Sequence, residues 1–215
     1  MLKGIDISHH NKNMKNKEDL KEFDFVFMKA SEGKGFKDYS INQYCAALEG
    51  SETVKGFYHF ARPEMGNLPI EEASNFLMAI QHYKKEKPLL ALDVEERALE
   101  VPFLDNWCLQ FCEYVYKEMG YKPLIYCSEA ETKRFKKCAS FGAGLWVAKW
   151  GSKKPTSIKP WQFFAFWQYT SSGVFSGVRV DLDYFNGARD QLLKYCEVLD
   201  HEEAESNRCT IDATD

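Results

Sequence analysis

The residues best placed to do chemistry lie in LLALDVEE, Leu89 to Glu96. A short apolar run without helical period reads as a buried strand, and Asp93 and Glu95 fall where it should end. Alternate side chains on a strand share a face, so the two carboxylates project together, with Cα atoms about 6–7 Å apart. Acids this close repel when both are ionised, which favours one charged and one protonated partner. A protonated acid beside a carboxylate is the equipment of glycoside hydrolysis. The competing reading is an ordinary strand-to-helix turn rich in solvated acids, since Glu96 follows directly.

Such a pair needs a scaffold, and the chain alternates strand-like and helix-like segments. Strands are expected at Leu2–Ile7, Phe23–Ala30, Val54–Ala61, the Asp93 stretch, Pro123–Ser128, Gly144–Trp150, Phe163–Thr170 and Val178–Asp183. Between them, Ser40 could cap a helix whose apolar side is Ile41, Tyr44, Cys45 and Leu48. Ala73, Phe76, Leu77 and Ile80 form a second helical stripe, and Phe103, Trp107, Phe111 and Val115 a third. A last helix is expected over residues 188–199, using Leu192, Leu193 and Cys196. Eight strands interleaved with helices predict an α/β fold, a single parallel, TIM-like barrel. The later connections are too short for full helices, so the barrel should be irregular on its second half. A doubly wound sheet would want a Gly-rich phosphate loop, and none is present.

Composition narrows the function classes. A net charge of −4 without a basic cluster argues against a nucleic-acid surface. No apolar run of about 18 residues is present, so no membrane span is expected. The N-terminus lacks a secretion h-region, so synthesis in the cytoplasm and action after lysis or export are expected. Seven scattered cysteines suggest reduced thiols. Residues 1–199 are expected to form the catalytic barrel and residues 200–215, acidic and nearly without apolar side chains, a disordered tail.

In a barrel of this kind the strand C-termini form the site. Those ends carry Asp6, Glu32, Tyr58, His59, Asp93, Glu95, Tyr126, Trp150, Trp167, Gln168 and Tyr169, with Asp181 and Asp183 on the eighth strand. Each alone has a bland explanation: Asp6 as a cap, Tyr58 and Trp167 as barrel packing, His59 as a satisfied core histidine. Several acids converging on one rim are harder to dismiss, because clustered buried carboxylates cost stability.

GIDIS, KASEG, GFYHFARP, LDVEE, LWVAKW and AFWQYTSSG…VDLDYFNG occur in the order and spacing of glycoside hydrolase family 25. The chain therefore resembles these muramidases, the Chalaropsis-type lysozymes, over about Gly4 to Gly187. The resemblance implies cleavage of the β-1,4 bond between N-acetylmuramic acid and N-acetylglucosamine in peptidoglycan. By position it makes Glu95 the proton donor and lets Asp93 stabilise the developing cation, with Asp6 and Asp181 lining the site. Tyr58, Tyr126 and Trp167 match positions that pack against or orient the sugar, and Glu32 matches an acid once proposed as catalytic. The chain departs from the pattern at His9-His10-Asn11-Lys12 and at Cys127.

The expected partner is peptidoglycan glycan strands, with a monomer, no cofactor and no metal; many relatives append wall-binding repeats, but with only the acidic tail after Gly187 none is expected here. Two rivals remain open: a sugar-binding barrel that has lost turnover, and a metal-dependent hydrolase built from Asp6, His9, His10, His59 and Asp93.

Overall fold

The computed structural model describes residues 1–197. Strands β1 (Leu2–Ile7), β2 (Phe25–Glu32), β4 (Val54–Phe60), β5 (Leu89–Asp93), β6 (Leu124–Ser128), β7 (Leu145–Ala148), β8 (Phe166–Phe175) and β9 (Val178–Phe185) close into an eight-stranded barrel. The two-residue strand β3 (Phe36–Lys37) is an antiparallel addition to the end of β2. Helices α1 (Ile41–Ala47), α2 (Pro69–Ala79), α3 (Leu104–Met119) and α4 (Lys136–Phe141) cover the barrel from outside, and α5 (Arg189–Leu193) follows β9. No helix joins β7 to β8, so the second half is as thin as expected. Among the described residues, no helix is long and apolar enough to cross a membrane.

The expectation of an all-parallel barrel fails at the last strand. β9 runs antiparallel to both β8 and β1, while the other barrel neighbours are parallel. The reason is the connection: Phe175 pairs with Val178, leaving only Ser176 and Gly177 to turn the chain. Both have positive φ, 43° and 82°, the conformation of a tight hairpin turn. A parallel crossover would need about a dozen residues.

Alternation along each strand divides the core into two layers. Phe25, Phe27, Tyr58, Leu89, Ala91, Tyr126, Trp146 and Phe166 fill the lumen, where Phe27 and Trp146 stack at 4.3 Å between centroids. Val26, Met28, Phe57, Leu90, Leu92 and Val147 face outwards against Phe76 and Phe111 of the helices. The buried free thiols Cys45, Cys108, Cys112, Cys127, Cys138 and Cys196 act as small apolar side chains.

Three local expectations change. The Ser40 hydroxyl does not cap α1; it donates to Asp38 Oδ1 at 2.5 Å. Phe103 is not on the buried stripe of α3; it precedes the helix with φ 60° and is 88% exposed. Helix α5 is shorter than expected and turns Leu193 towards solvent. The expected tail and Cys209 lie outside the described residues.

Lumen aromatics this large require small residues beside them. A Cβ on Gly4 would lie 2.1 Å from the Phe25 ring. Gly4→Ala should therefore destabilise the fold by about 1–3 kcal/mol through overpacking. The check is urea unfolding, in which an unchanged midpoint would show that the Phe25 ring can yield.

Candidate active site

The upper end of the lumen changes from apolar to polar one residue pair beyond the aromatic layer. Leu89 and Ala91 of β5 face the lumen, and the next side chain of the same parity is Asp93. Val94 turns outwards into the helix layer, and Glu95 keeps an extended backbone, φ −148°. Glu96 then takes φ 52° and ends the run in a short helical turn. The extended geometry thus continues just far enough to bring both acids to one opening.

They line a cleft of about 700 Å³ together with Asp6, Tyr58, Tyr126 and Asp181. Six of the eight expected site residues therefore meet there. Trp167 and Glu32 do not. Trp167 lies between the lumen-facing Phe166 and Gln168, so its indole points outwards and donates to Lys149 O at 2.7 Å. Glu32 follows a bulge between Lys29 and Ser31 and is held by Lys29 Nζ and Arg62 Nε, both at 2.6 Å.

Lys29, Phe60 and Trp146 also line the cleft and were not among the expected site residues. Period-two parity could have found Trp146, the alternate residue between Leu145 and Val147. Gln168 is the hub of the floor. Its amide donates to Asp6 Oδ2 at 2.8 Å, while its oxygen accepts from Tyr126 OH at 3.0 Å and Trp150 Nε1 at 3.1 Å.

The carboxyl groups share one electrostatic problem. Burial raises Asp6 well above the usual carboxylate range, reinforced by Asp183 and Asp181. Burial does the same to Asp93, with Glu95 adding to it and Lys29 opposing. Glu95 is raised by burial, then by Glu96 and Asp181, and Asp181 is raised by burial. The sequence suggested that one partner of the Asp93–Glu95 pair is charged. In the structure both are pushed towards the protonated form.

Two oxygens make this concrete. Asp93 Oδ1 and Asp183 Oδ2 are buried without a donor among the described residues. Asp183 is pushed up to about 7 by burial, although Trp146 Nε1 donates to its other oxygen at 2.8 Å. A side-chain interaction with Asp6 raises Asp6 further and lowers Asp183, which couples the two acids. Asp93 Oδ1 keeps no such partner.

The metal-site residues are not assembled. His59 faces the helix layer, where it bonds Ser31 Oγ and Glu72 Oε2, both at 2.8 Å. His9 Nδ1 is bonded to Asp38 Oδ2 at 2.7 Å. Among the described residues, no group of three His, Cys, Asp or Glu side chains is placed to hold a metal.

A carboxyl group whose pKa is raised on folding binds protons more tightly in the native state. Stability must then fall as pH rises from the unfolded value near 3.8 through the folded value near 7. The share due to Asp183 is at most about 1.4 kcal/mol per pH unit. Asp183→Asn should flatten this decline in denaturant unfolding followed between pH 4 and 7. A slope as steep as that of the unmodified chain would locate the strain elsewhere.

Comparison with known proteins agrees with this geometry. The chain is 26% identical over 211 residues to Lysozyme M1 of Streptomyces globisporus, covering 89% of this chain and 70% of that protein. It is 26% identical over 189 residues to the N,O-diacetylmuramidase of Arthroderma benhamiae, covering 80% and 77%. The family GH25 lysozyme structure from Aspergillus fumigatus superposes with a TM-score of 0.78 at 25% identity, covering 91% of this chain and 99% of that one. The model of the glycosyl hydrolases family 25 matches residues 5–178. Fold, cleft and sequence together make this chain a glycoside hydrolase, a member of glycosyl hydrolases family 25.

Proposed function

We propose that the chain is an N-acetylmuramidase that cuts the β-1,4 bond between N-acetylmuramic acid and N-acetylglucosamine in bacterial peptidoglycan. The observation that carries this reading is the Asp93–Glu95 pair, two carboxyl groups with raised pKa values on one wall of a sugar-sized cleft. The family membership and the muramidase relatives supply the substrate class.

Glu95 is the proton donor. It is half-buried, and burial with the charges of Glu96 and Asp181 raises its pKa above the usual carboxylate range, which favours the protonated form. That proton passes to the glycosidic oxygen as the bond to the leaving glucosamine breaks. Asp93 faces the other reacting partner. Its donor-less Oδ1 suits either a substrate N–H or a developing positive charge. In the first case Asp93 orients the 2-acetamido group, whose oxygen attacks the anomeric carbon; in the second it stabilises or attacks the oxocarbenium-like centre itself. Water then attacks the anomeric carbon and gives a proton back to the Glu95 carboxylate, and the family membership favours retention. Asp6, Asp181 and Gln168 hold the floor of the cleft, and Tyr58, Tyr126 and Trp146 supply surfaces against which sugar rings can pack. The barrel of residues 1–199 is the catalytic unit in this reading, and it acts on the cell wall.

Digestion of purified cell walls, with mass spectrometry of the fragments, tests both bond and product end. Muramic acid at the new reducing end is the expected outcome, and glucosamine there would refute the assignment. Glu95→Gln should lower kcat roughly 10²–10⁴-fold without loss of the fold. Asp93→Asn should fall nearly as far, and near-normal turnover in either variant would overturn the roles. Chelator should leave the rate unchanged. Wall binding without release of reducing ends would instead identify a sugar-binding barrel.

A further inference from the structure

One arm of the cleft is not accounted for by the acids. Beyond the barrel rim, β8 and β9 continue as a two-stranded hairpin, in which Val174 pairs with Arg179 and Gly173 with Val180. Ser171 and Arg179 from this hairpin, and Asn11 and His10 after β1, wall that arm. The corner is braced. Asn11 accepts from Ser8 N through Oδ1 at 2.8 Å and donates through Nδ2 to Arg179 O at 2.8 Å. The Arg179 side chain is braced too, since Nε donates to Ser171 O at 2.5 Å. One edge of the guanidinium is thereby fixed, and its terminal nitrogens are left to meet a ligand.

Charge separates Arg179 from the other cation of the cleft. Lys29 is neutralised by Glu32 at 2.6 Å. Arg179 acts on Asp181 through space, but among the described residues it has no carboxylate within 4 Å. His10 also lines the cleft and is lowered from its usual pKa by partial burial and by His9, whereas the Arg179 guanidinium stays charged at every working pH. A neutral sugar ring can accept a single hydrogen bond from a guanidinium but does not answer its charge or its fork. A carboxylate does, because the planar fork matches its two oxygens.

We propose that Arg179 is a specificity-determining residue that binds a carboxylate on the lactyl–peptide arm of the glycan, the substituent that distinguishes muramic acid from glucosamine. This rests on the muramidase reading above. Two sources share the chemistry: the acidic stem peptide, and the lactyl carboxylate exposed where the stem has been removed.

The test uses the full chain and three soluble glycan substrates. The first bears intact stems, the second has had its stems removed by an amidase, and the third is the second with its lactyl carboxylates converted to neutral methylamides. KM for the neutral strands should exceed KM for a carboxylate-bearing set about tenfold, as for loss of one charge-assisted contact. That ratio should collapse towards one in Arg179→Ala. Arg179→Lys should retain part of it, because the charge survives while the fork is lost. The carboxylate-bearing set on which the preference appears identifies the source. A uniform change across all three sets would mean that Arg179 acts only through Asp181, and no change would mean that it touches nothing; either overturns the inference. If the unmodified chain cleaves none of the three, the muramidase reading itself falls, and this inference with it.

Discussion

Carboxyl groups crowded at the end of an apolar lumen cannot all ionise together, and the upper half of this barrel is arranged around that constraint. Asp6, Asp93 and Asp183 are nearly or wholly buried, and Glu95 and Asp181 sit at their edge. Each charge placed there loses hydration and meets its neighbours in a medium that screens poorly. Burial and mutual repulsion therefore push these acids towards their protonated forms. The same desolvation that costs the fold stability raises the pKa of Glu95, as the proposed proton donor requires.

The surrounding polar groups divide this cluster into separate tasks. Gln168 spends its amide protons on Asp6 and its oxygen on Tyr126 and Trp150, so the floor has a fixed hydrogen-bond pattern. Trp146 holds Asp183 from within the lumen. These donors stop short of Asp93, whose Oδ1 is left for something that enters the cleft. Around the mouth, Arg62 bridges Glu32 and Glu96 and lies over the Phe60 ring at 4.4 Å. Lys29 lies over the other side of that region, 4.6 Å from the same ring. These cations offset the acids that flank the pair, and Lys29 also opposes the rise that burial imposes on Asp93 and Glu95.

Behind the sheet, a second polar network does structural work. Glu72 of α2 takes His59, the backbone N–H of Arg62 and Asn67, which anchors the loop after β4. Every group in it is bonded and sealed from solvent, as a buried polar network must be if it is not to cost stability. Its position on the outward face explains why a histidine beside a strand end is no part of the chemistry.

The sequence by itself determined the order of the barrel strands and the shared face of the Asp93–Glu95 pair. Leu89 to Glu95 carries its own period of two, and that local rule places Asp93 and Glu95 on one face without knowledge of any neighbour. The six matching segments fixed the family. What the sequence left open depended on partners distant in the chain. Trp146 and Trp167 are both strand tryptophans, yet one lines the cleft and the other packs outside the lumen against Phe164, Tyr169 and Tyr184, because register and parity differ between β7 and β8. Glu32 left the cleft because a bulge moved it towards Arg62. The last strand reversed because a two-residue turn cannot cross the sheet. Which carboxyl group keeps its proton was likewise decided only by assembly, since burial and neighbouring charge exist for a side chain only once the barrel has closed around it.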